Sequence, residues 1–265
     1  MSSAAAVKVL ENACTVQCRV LHALILRELK SRYGDRRLGF AWALFEPMII
    51  MSVFVLGFQL IGQGAPSGIP AALFFIAGIS PFFMFREIFS EVVQGTRGQQ
   101  SLLMFPQVTR MDLLVAKVIV NSLVSISVFL LLVIGLYFAG ITFHVEDPLG
   151  VMTGFSLMIS LGFGLGLVLG ALGIRYEFIH SISEPLFGRP LFLTSGLFFT
   201  ASMLPPFARD IALYNPLMHC IELIRSSLFE SFDSRYIDLQ YVCVFALVLI
   251  SFGLMLLGVF ERQRK

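Results

Sequence analysis

Long runs of apolar residues, separated by short polar segments, are the dominant pattern of this chain. Six runs stand out, at about residues 39–61, 69–90, 113–138, 150–174, 183–204 and 239–260. A helix of about 20 apolar residues is long enough to cross the hydrocarbon core of a bilayer. The sequence therefore predicts an all-α integral membrane protein, with a six-helix transmembrane domain over 39–260 and a short tail at 261–265.

A helix of a different kind is predicted ahead of the first run. Between residues 7 and 33, apolar side chains recur at helical spacing on one side and charged side chains occupy the other. Residues 1–38 are therefore expected to form an amphipathic helix in the membrane interface. Cys14, Cys18 and His22 share one of its faces, a spacing compatible with a metal site. Because the same face continues with apolar residues, the cysteines are better interpreted as small apolar side chains, and no metal site is expected.

The composition supports a membrane protein and gives no indication of a nucleic-acid partner. Hydrophobic residues make up 57% of the chain and charged residues only 14%, whereas about 25% of a soluble domain is charged. The mean hydropathy is +0.86. The formal net charge of +2 is too small to indicate binding to a nucleic acid.

The distribution of lysine and arginine predicts the orientation of the chain in the membrane. These residues are concentrated in 1–37, around the segment between the second and third runs, and at the C-terminus. The segments 62–68 and 139–149 contain none. Because cytoplasmic segments carry an excess of basic residues, both termini are expected to face the cytoplasm.

The entry to the first run combines basic, aromatic and acidic side chains. Arg32, Arg36 and Arg37 precede it, and Trp42 and Glu46 lie within it. A charge at the centre of a lone membrane helix costs about 2.5–3.5 kcal/mol, so the acid is expected to face protein or water. Two interpretations stand: the acid lines a pathway, or it is a structural acid paired with a basic group at the interface.

Two later segments carry patterns of their own. In the fourth run Gly162, Gly166 and Gly170 recur at every fourth position, which is typical of close helix packing. Between the fifth and sixth runs, Asn215 is a good N-cap for a short amphipathic helix. Its polar side would carry His219, Glu222 and Arg225. This helix is interpreted either as one that dips back into the membrane or as a surface helix held by a Glu222–Arg225 pair worth about 0.2–0.5 kcal/mol.

Three stretches give the chain a family resemblance that covers nearly its whole length. They are RYGDRRLGFAWALFEP at 32–47, GISPFFMF at 78–85 and YNPLMHCIELIR at 214–225. Together they resemble the membrane subunits of polysaccharide-exporting ABC transporters, in particular the capsular polysaccharide export permeases of Gram-negative bacteria. The chain contains no G-x-x-x-x-G-K-[ST] loop for ATP phosphates. It is therefore expected to be a transport subunit and not itself an enzyme.

The resemblance implies an assembly and a cargo. A homodimer of this chain would work with two copies of a separate ABC ATPase, which would bind the ATP and magnesium, so no cofactor is expected in this chain. The cargo would be a lipid-linked, acidic polysaccharide moved across the bacterial inner membrane from cytoplasm to periplasm, with periplasmic and outer-membrane export proteins as further partners. Export of an O-antigen, a teichoic acid or a small drug is the alternative within the class.

The resemblance also implies roles for particular residues. The candidates for the substrate pathway and its entry are Arg32, Arg36, Arg37, Trp42, Glu46, Phe82 and Phe83. The candidates for coupling to the ATPase are Arg97, Leu102, Leu103, Phe105 and Arg110, with Arg175 and Glu177 as a second set. The candidates for a periplasmic gate are Asn215, His219, Glu222 and Arg225. Simpler interpretations are a surface loop at 93–110 and phenylalanines that only face lipid.

Two other classes of protein fit the sequence less well. A secondary transporter would need an internal ion or proton relay, and the third and fourth runs contain no buried acid. A membrane-embedded enzyme would need a catalytic constellation, and the four histidines have no convincing partners for metal binding or acyl transfer. Both classes predict activity without an ATPase.

Overall fold

All the regular secondary structure in the described part of the chain is helical. The computed structural model describes residues 3–33, 69–97, 108–141, 145–229 and 235–264, together with Phe232 and scattered positions between 45 and 60. Four of its helices are long and apolar enough to cross a membrane. They correspond to the second, third, fourth and sixth predicted runs, which are confirmed as helices. The first run lies mostly outside the described residues.

The helices are numbered in chain order. They are α1 Ser3–Tyr33, α2 Ala71–Arg97, α3 Arg110–Phe138, α4 Pro148–Arg175, α5 Ile179–Ser183, α6 Arg189–Thr194, α7 Pro206–Ala212, α8 Pro216–Leu228 and α9 Leu239–Arg264. A π-helical turn, Glu184–Gly188, joins α5 to α6, and a 3₁₀ turn, Ala201–Met203, precedes α7.

Several helix starts follow directly from the sequence. Thr109 and Asp112 form a reciprocal capping box at the start of α3, which satisfies backbone donors that the first helical turn leaves free. Asp147 caps α4 and accepts a hydrogen bond from the N–H of Leu149. Asn215 caps α8 as predicted, with a proline at the first helical position where no N–H is needed.

α4 lies at the centre of the bundle and packs against α2, α8 and α9. On one side, a Cβ added at Gly166 would lie 2.7 Å from Val92, and one at Gly170 would lie 2.7 Å from Thr96, both in α2. On another side, a Cβ at Gly164 would lie 2.9 Å from Leu249 in α9. Because these glycines have no side chain, two neighbouring helices can approach the backbone of α4 closely.

The outer surface of the bundle is apolar. α3 exposes Leu123, Leu130 and Ile134, and α9 exposes Leu247 and Val248. Helices of this length can span the hydrocarbon core of a bilayer. Apolar surface exposed to that hydrocarbon costs no hydrophobic free energy. α3 and α9 therefore present surfaces suited to contact with lipid.

The fifth predicted run differs from expectation. The prediction of one continuous helix over 183–204 is wrong: helical structure runs from α5 through the π-helical turn to the end of α6, and the chain then breaks at Ser195. Gly196 has a φ of +74°, a left-handed conformation that glycine adopts readily and that ends a helix. Hydropathy alone overlooked this break because the residues around it are as apolar as a membrane helix.

α1 packs against the first turns of α3. Leu24, Leu113 and Ala116 form a small buried cluster between the two helices. Gln17 on α1 also donates a hydrogen bond to Asp112 on α3. The prediction of a helix ahead of the first run is therefore confirmed over Ser3–Tyr33, and its location in the membrane interface stays a prediction.

Candidate functional site

α8 is buried on both its apolar and its polar side. It packs against α2 and α4, and Ile221 and Ile224 on its apolar side are fully enclosed. His219 and Glu222 on the opposite side are only 5% and 3% exposed. The interpretation of α8 as a surface helix held by an exposed ion pair is therefore wrong, because polar side chains buried in this way need partners inside the protein.

Arg225 holds the backbone break that follows α6. Its Nη1 donates to the carbonyl of Gly196 at 2.7 Å and to that of Phe199 at 3.3 Å, and its Nη2 donates to the carbonyl of Leu197 at 2.8 Å. The side chain is fully buried. The planar fork of donors on a guanidinium suits this arrangement, since it serves several carbonyls that no helix satisfies.

Two residues of α2 complete the surroundings of Arg225. The guanidinium carbon lies 3.7 Å from the centre of the Phe74 ring, where the negative face of the aromatic system attracts a cation. At Gly78 an added Cβ would lie only 2.5 Å from Nη2, so the position has to be free of a side chain. Sequence reasoning did not identify either residue, because the contact joins α2 to a helix more than a hundred residues away.

Glu222 holds the same break from its other side. Its carboxylate accepts a hydrogen bond of 2.6 Å from the N–H of Ala201, at the start of the 3₁₀ turn. The start of a helical turn presents free N–H groups and attracts a negative charge, whereas carbonyls attract a positive one. At the break, the negative Glu222 therefore binds a free N–H group, and the positive Arg225 binds free carbonyl groups.

His219 and Asn215 connect α8 to its neighbours along the chain. His219 Nδ1 accepts from the N–H of Asp238, and its Nε2 therefore carries the proton and donates to the carbonyl of Leu213 at 2.8 Å. The amide of Asn215 donates to the hydroxyls of Thr194 and Ser195, both at 3.1 Å. The four polar residues predicted as a gate thus bind the segments before, after and beside α8. Their role as a gate stays a prediction.

A second polar cluster lies where α1 meets α2 and α3, about two turns from the end of α2 and from the start of α3, and is called the basic-end cluster below. Arg32 pairs with Glu91 at 2.6 Å and with Glu28 at 2.9 Å, and it also donates to the side chain of Asn121 at 2.8 Å. Lys117 pairs with Glu91 at 2.5 Å. Two cations and two carboxylates therefore neutralise one another across three helices. Of these residues the sequence singled out only Arg32, as a candidate for substrate entry, and the structure gives it carboxylate partners within the chain.

The predicted coupling residues that the structure describes lie at one end of the bundle. Arg97 and Glu177 form an exposed ion pair between the end of α2 and the turn after α4. Arg110 donates to the carbonyl of Thr96 at 2.9 Å, which ties the start of α3 to the end of α2. Arg175 is exposed beside the ring of Tyr176. Leu102, Leu103 and Phe105 lie outside the described residues. This end is called the basic end below.

Of the remaining pathway candidates, the structure describes Phe82 and Phe83. Phe82 is fully buried and meets the ring of Phe192 edge-on at 5.5 Å, and Phe83 is half-buried beside the same ring. These phenylalanines pack α2 against α6. Arg36, Arg37, Trp42 and Glu46 lie outside the described residues, and their role in a pathway stays a prediction.

Comparison with known proteins shows similarity over most of the chain. The family described as ABC-2 type transporter matches residues 19–229. The polysialic acid transport protein KpsM of Escherichia coli is 30% identical over 241 residues, which cover 91% of this chain and 93% of that protein.

Two further relatives are named for the export of capsule polysaccharide. The capsule polysaccharide export inner-membrane protein CtrC of Neisseria meningitidis serogroup B is 28% identical, with 93% of each chain covered. The capsule polysaccharide export inner-membrane protein BexB of Haemophilus influenzae is 25% identical, with 95% of each chain covered.

Proposed function

Because this chain belongs to the ABC-2 type transporter family, we propose that it is the permease subunit of an ATP-driven exporter of capsular polysaccharide. The observation that carries the proposal is the near full-length similarity to KpsM, CtrC and BexB, all named for transport of such polymers. The four apolar helices place the protein in a membrane, and CtrC and BexB are named as inner-membrane proteins. The cargo is a lipid-linked, acidic polysaccharide that moves from cytoplasm to periplasm.

The orientation follows from the basic residues. Arg97, Arg110 and Arg175 lie at one end of the bundle, and the positive-inside rule makes this the cytoplasmic end. The first run and the broken segment 179–204 complete six passages, with both termini in the cytoplasm. α8 then lies in the periplasmic half, as a helix that dips back into the membrane and returns.

The permease works as a homodimer with two copies of a separate ATPase, which binds ATP and magnesium. The ATPase docks on the basic end, where the apolar segment around Leu103 lies between Arg97 and Arg110 in sequence. An apolar patch rimmed by polar residues is typical of a protein interface. The exposed Arg97–Glu177 pair belongs to the same surface.

α8 acts as the periplasmic gate. Its polar side chains hold the backbone break after α6 and the start of α9, so a shift of α8 would move both neighbours. Such a coupled movement is the kind of two-state packing change by which transporters open and close.

The test is deletion of the gene in its native host, followed by localisation of the polymer with an antibody or a labelled lectin. Polymer that is still made but accumulates in the cytoplasm supports the proposal, and a plasmid copy should restore export. A deletion strain that still displays polymer on its surface would contradict it. A parallel strain without the partner ATPase should show the same accumulation, whereas a secondary transporter would not need that partner.

A further inference from the structure

The segment from Phe178 to Thr194 presents an exposed stripe that contains one charged residue. Phe178, Ile182, Leu186 and Leu193 recur along one side and leave between 42% and 64% of their surface exposed. Arg189 lies on the same side and is also exposed. The opposite side of the segment packs on the bundle, with the Phe192 ring against Phe82. The stripe is therefore apolar except for a single arginine.

Arg189 lies well along this helical segment and not at its start. Helical structure in this segment begins at Ile179, ten residues before Arg189. At about 1.5 Å per residue, this places Arg189 about 15 Å along the segment from the basic end. Arg86, which pairs with Glu184 on the same segment at 2.5 Å, lies about 16 Å from the end of α2 by the same count.

In a membrane passage an arginine is costly in contact with lipid hydrocarbon, and water, a polar group or a bound ligand removes that cost. For Arg86, Glu184 is such a polar group. Within the described part of the chain, no carboxylate pairs with Arg189. Among Arg86, Glu184 and Arg189, one positive charge therefore has no carboxylate partner in the part of the chain that the structure describes.

The local backbone directs Arg189 onto the stripe. The N–H of Arg189 donates to the carbonyl of Glu184, which closes a turn of π-helix with one extra residue. Pro190 follows at once, lacks an N–H and crowds the carbonyl four residues back, which favours such a widened turn. Gly188 leaves room for the side chain of Glu184 to reach Arg86, since an added Cβ would lie 2.8 Å from its carboxylate. Widened turns of this kind occur frequently at functional sites.

We propose that Arg189 lines the transport pathway and binds anionic groups of the polymer, a carboxylate on a sugar or the phosphate of the lipid carrier. The inference rests on the proposed export function. The guanidinium offers a planar fork that fits either anion. The apolar positions along the rest of the stripe offer no further charge, so a polymer is held at one point and can move on. In a two-fold symmetric dimer, two copies of Arg189 on a common pathway would repel each other until an anion lies between them.

The first experiment asks whether Arg189 is reached by water. An Arg189→Cys variant is prepared in the complete transporter, in a background without Cys14, Cys18 and Cys243, while Cys220 is fully buried and stays. A membrane-impermeant, negatively charged thiol reagent is added while the transporter hydrolyses ATP. Rapid labelling is expected.

Two matched variants interpret this result. Leu193→Cys lies on the same stripe and is expected to react, whereas Leu247→Cys on the lipid-facing side of α9 is expected not to react. An Arg189→Cys variant as unreactive as Leu247→Cys would overturn the proposal, because the position would then face lipid with its charge reaching toward the head groups.

The second experiment identifies the ligand. Polymer export, ATPase retention and dimer formation are measured for Arg189→Lys, Arg189→Gln and Arg189→Glu. Lysine, which keeps the charge but not the planar fork, is expected to retain part of the export, glutamine to lose about tenfold, as for one charge-assisted contact, and glutamate to lose more. Binding of the lipid-free acidic polymer to the purified wild-type and Arg189→Gln transporters separates the two anions: weaker binding by the variant assigns the sugar carboxylate, and equal binding by both assigns the carrier phosphate.

Two outcomes would overturn the assignment. Normal export by Arg189→Glu would exclude anion binding at this position. Loss of the dimer in Arg189→Gln would show that the arginine instead contacts the second copy. Neither outcome touches the proposed function, which is tested by deletion of the whole chain and requires only that the wild-type protein exports polymer.

Discussion

The two polar clusters of this protein use the same residue types with different partners. In the α8 cluster, the guanidinium of Arg225 donates to three backbone carbonyls and is fully buried. In the cluster at the basic end, the guanidinium of Arg32 meets the carboxylates of Glu28 and Glu91, and its side chain is 23% exposed. The first arginine completes a broken backbone, whereas the second balances charge between helices.

This difference determines what happens when a side chain is removed. Carbonyls that lose Arg225 have no water to replace it, and an unsatisfied buried polar group costs about 1–3 kcal/mol. Carboxylates that lose Arg32 keep Lys117 as a partner and are partly open to solvent, where ion pairs contribute about 0–1 kcal/mol. Substitutions in the α8 cluster are therefore expected to destabilise the fold more than those at the basic end.

The largest effect is expected from Arg225→Met. The variant leaves the carbonyls around the break without donors and Glu222 without a nearby cation, at a cost on the order of 3–5 kcal/mol. The yield of monodisperse protein in detergent and its apparent melting temperature should both fall sharply. Arg209→Met is the matched control, because within the described residues Arg209 contacts one side chain, Tyr236, through a hydrogen bond to its hydroxyl and a stacking contact with its ring. Equal melting of the two variants would contradict the structural role assigned to Arg225.

Substitutions of Glu222 in the same cluster are expected to destabilise the protein less. They distinguish the contribution of its charge from that of its hydrogen bond. Glu222→Gln keeps an oxygen that can accept from the N–H of Ala201, whereas Glu222→Leu leaves that donor buried and unpaired, at about 1–3 kcal/mol. The leucine variant should therefore melt at a clearly lower temperature than the glutamine variant. If glutamine proves as damaging as leucine, the negative charge itself, and not the hydrogen bond, stabilises the break.

The sequence predicted one part of this comparison and overlooked the other. It placed His219, Glu222 and Arg225 on one side of a capped helix, because a cap and a 3.6-residue period are local patterns. It did not predict that these residues bind the chain after α6, because hydropathy measures how apolar a residue is and not whether its backbone is hydrogen-bonded. The break at Gly196 lies in an apolar stretch and reads as part of a membrane helix.

The basic-end cluster was overlooked for another reason. Glu28, Glu91 and Lys117 lie far apart in the sequence and belong to three different helices. Each charge alone is ordinary near the end of a membrane helix, and only the packing of α1 on α3 brings them together. Asn121 was the available signal, since it is an amide within an otherwise apolar run, and such a side chain requires a partner inside the membrane.

A modest effect is expected from Glu91→Gln at the basic end. The variant removes the carboxylate shared by Arg32 and Lys117 and should destabilise the protein by about 1 kcal/mol, with a smaller difference at high salt because the pairs are partly exposed. The melting temperatures of the variant and the wild type at low and at high sodium chloride measure both the destabilisation and its dependence on salt. A double-mutant cycle with Lys117→Met isolates the Glu91–Lys117 pair. A loss as large as that of Arg225→Met would remove the contrast between the two clusters.

The smallest effect on stability is expected at the exposed Arg97–Glu177 pair, whose side chains are 61% and 75% exposed. Exposed pairs contribute at most about 1 kcal/mol, so Arg97→Glu and Glu177→Arg should each melt close to the wild type. Retention of the ATPase is the informative measurement. If the pair only joins the two segments, exchanging both charges restores what either single variant loses. If instead each residue contacts the ATPase, the exchanged protein stays defective, because the new charges face unchanged partners on that subunit.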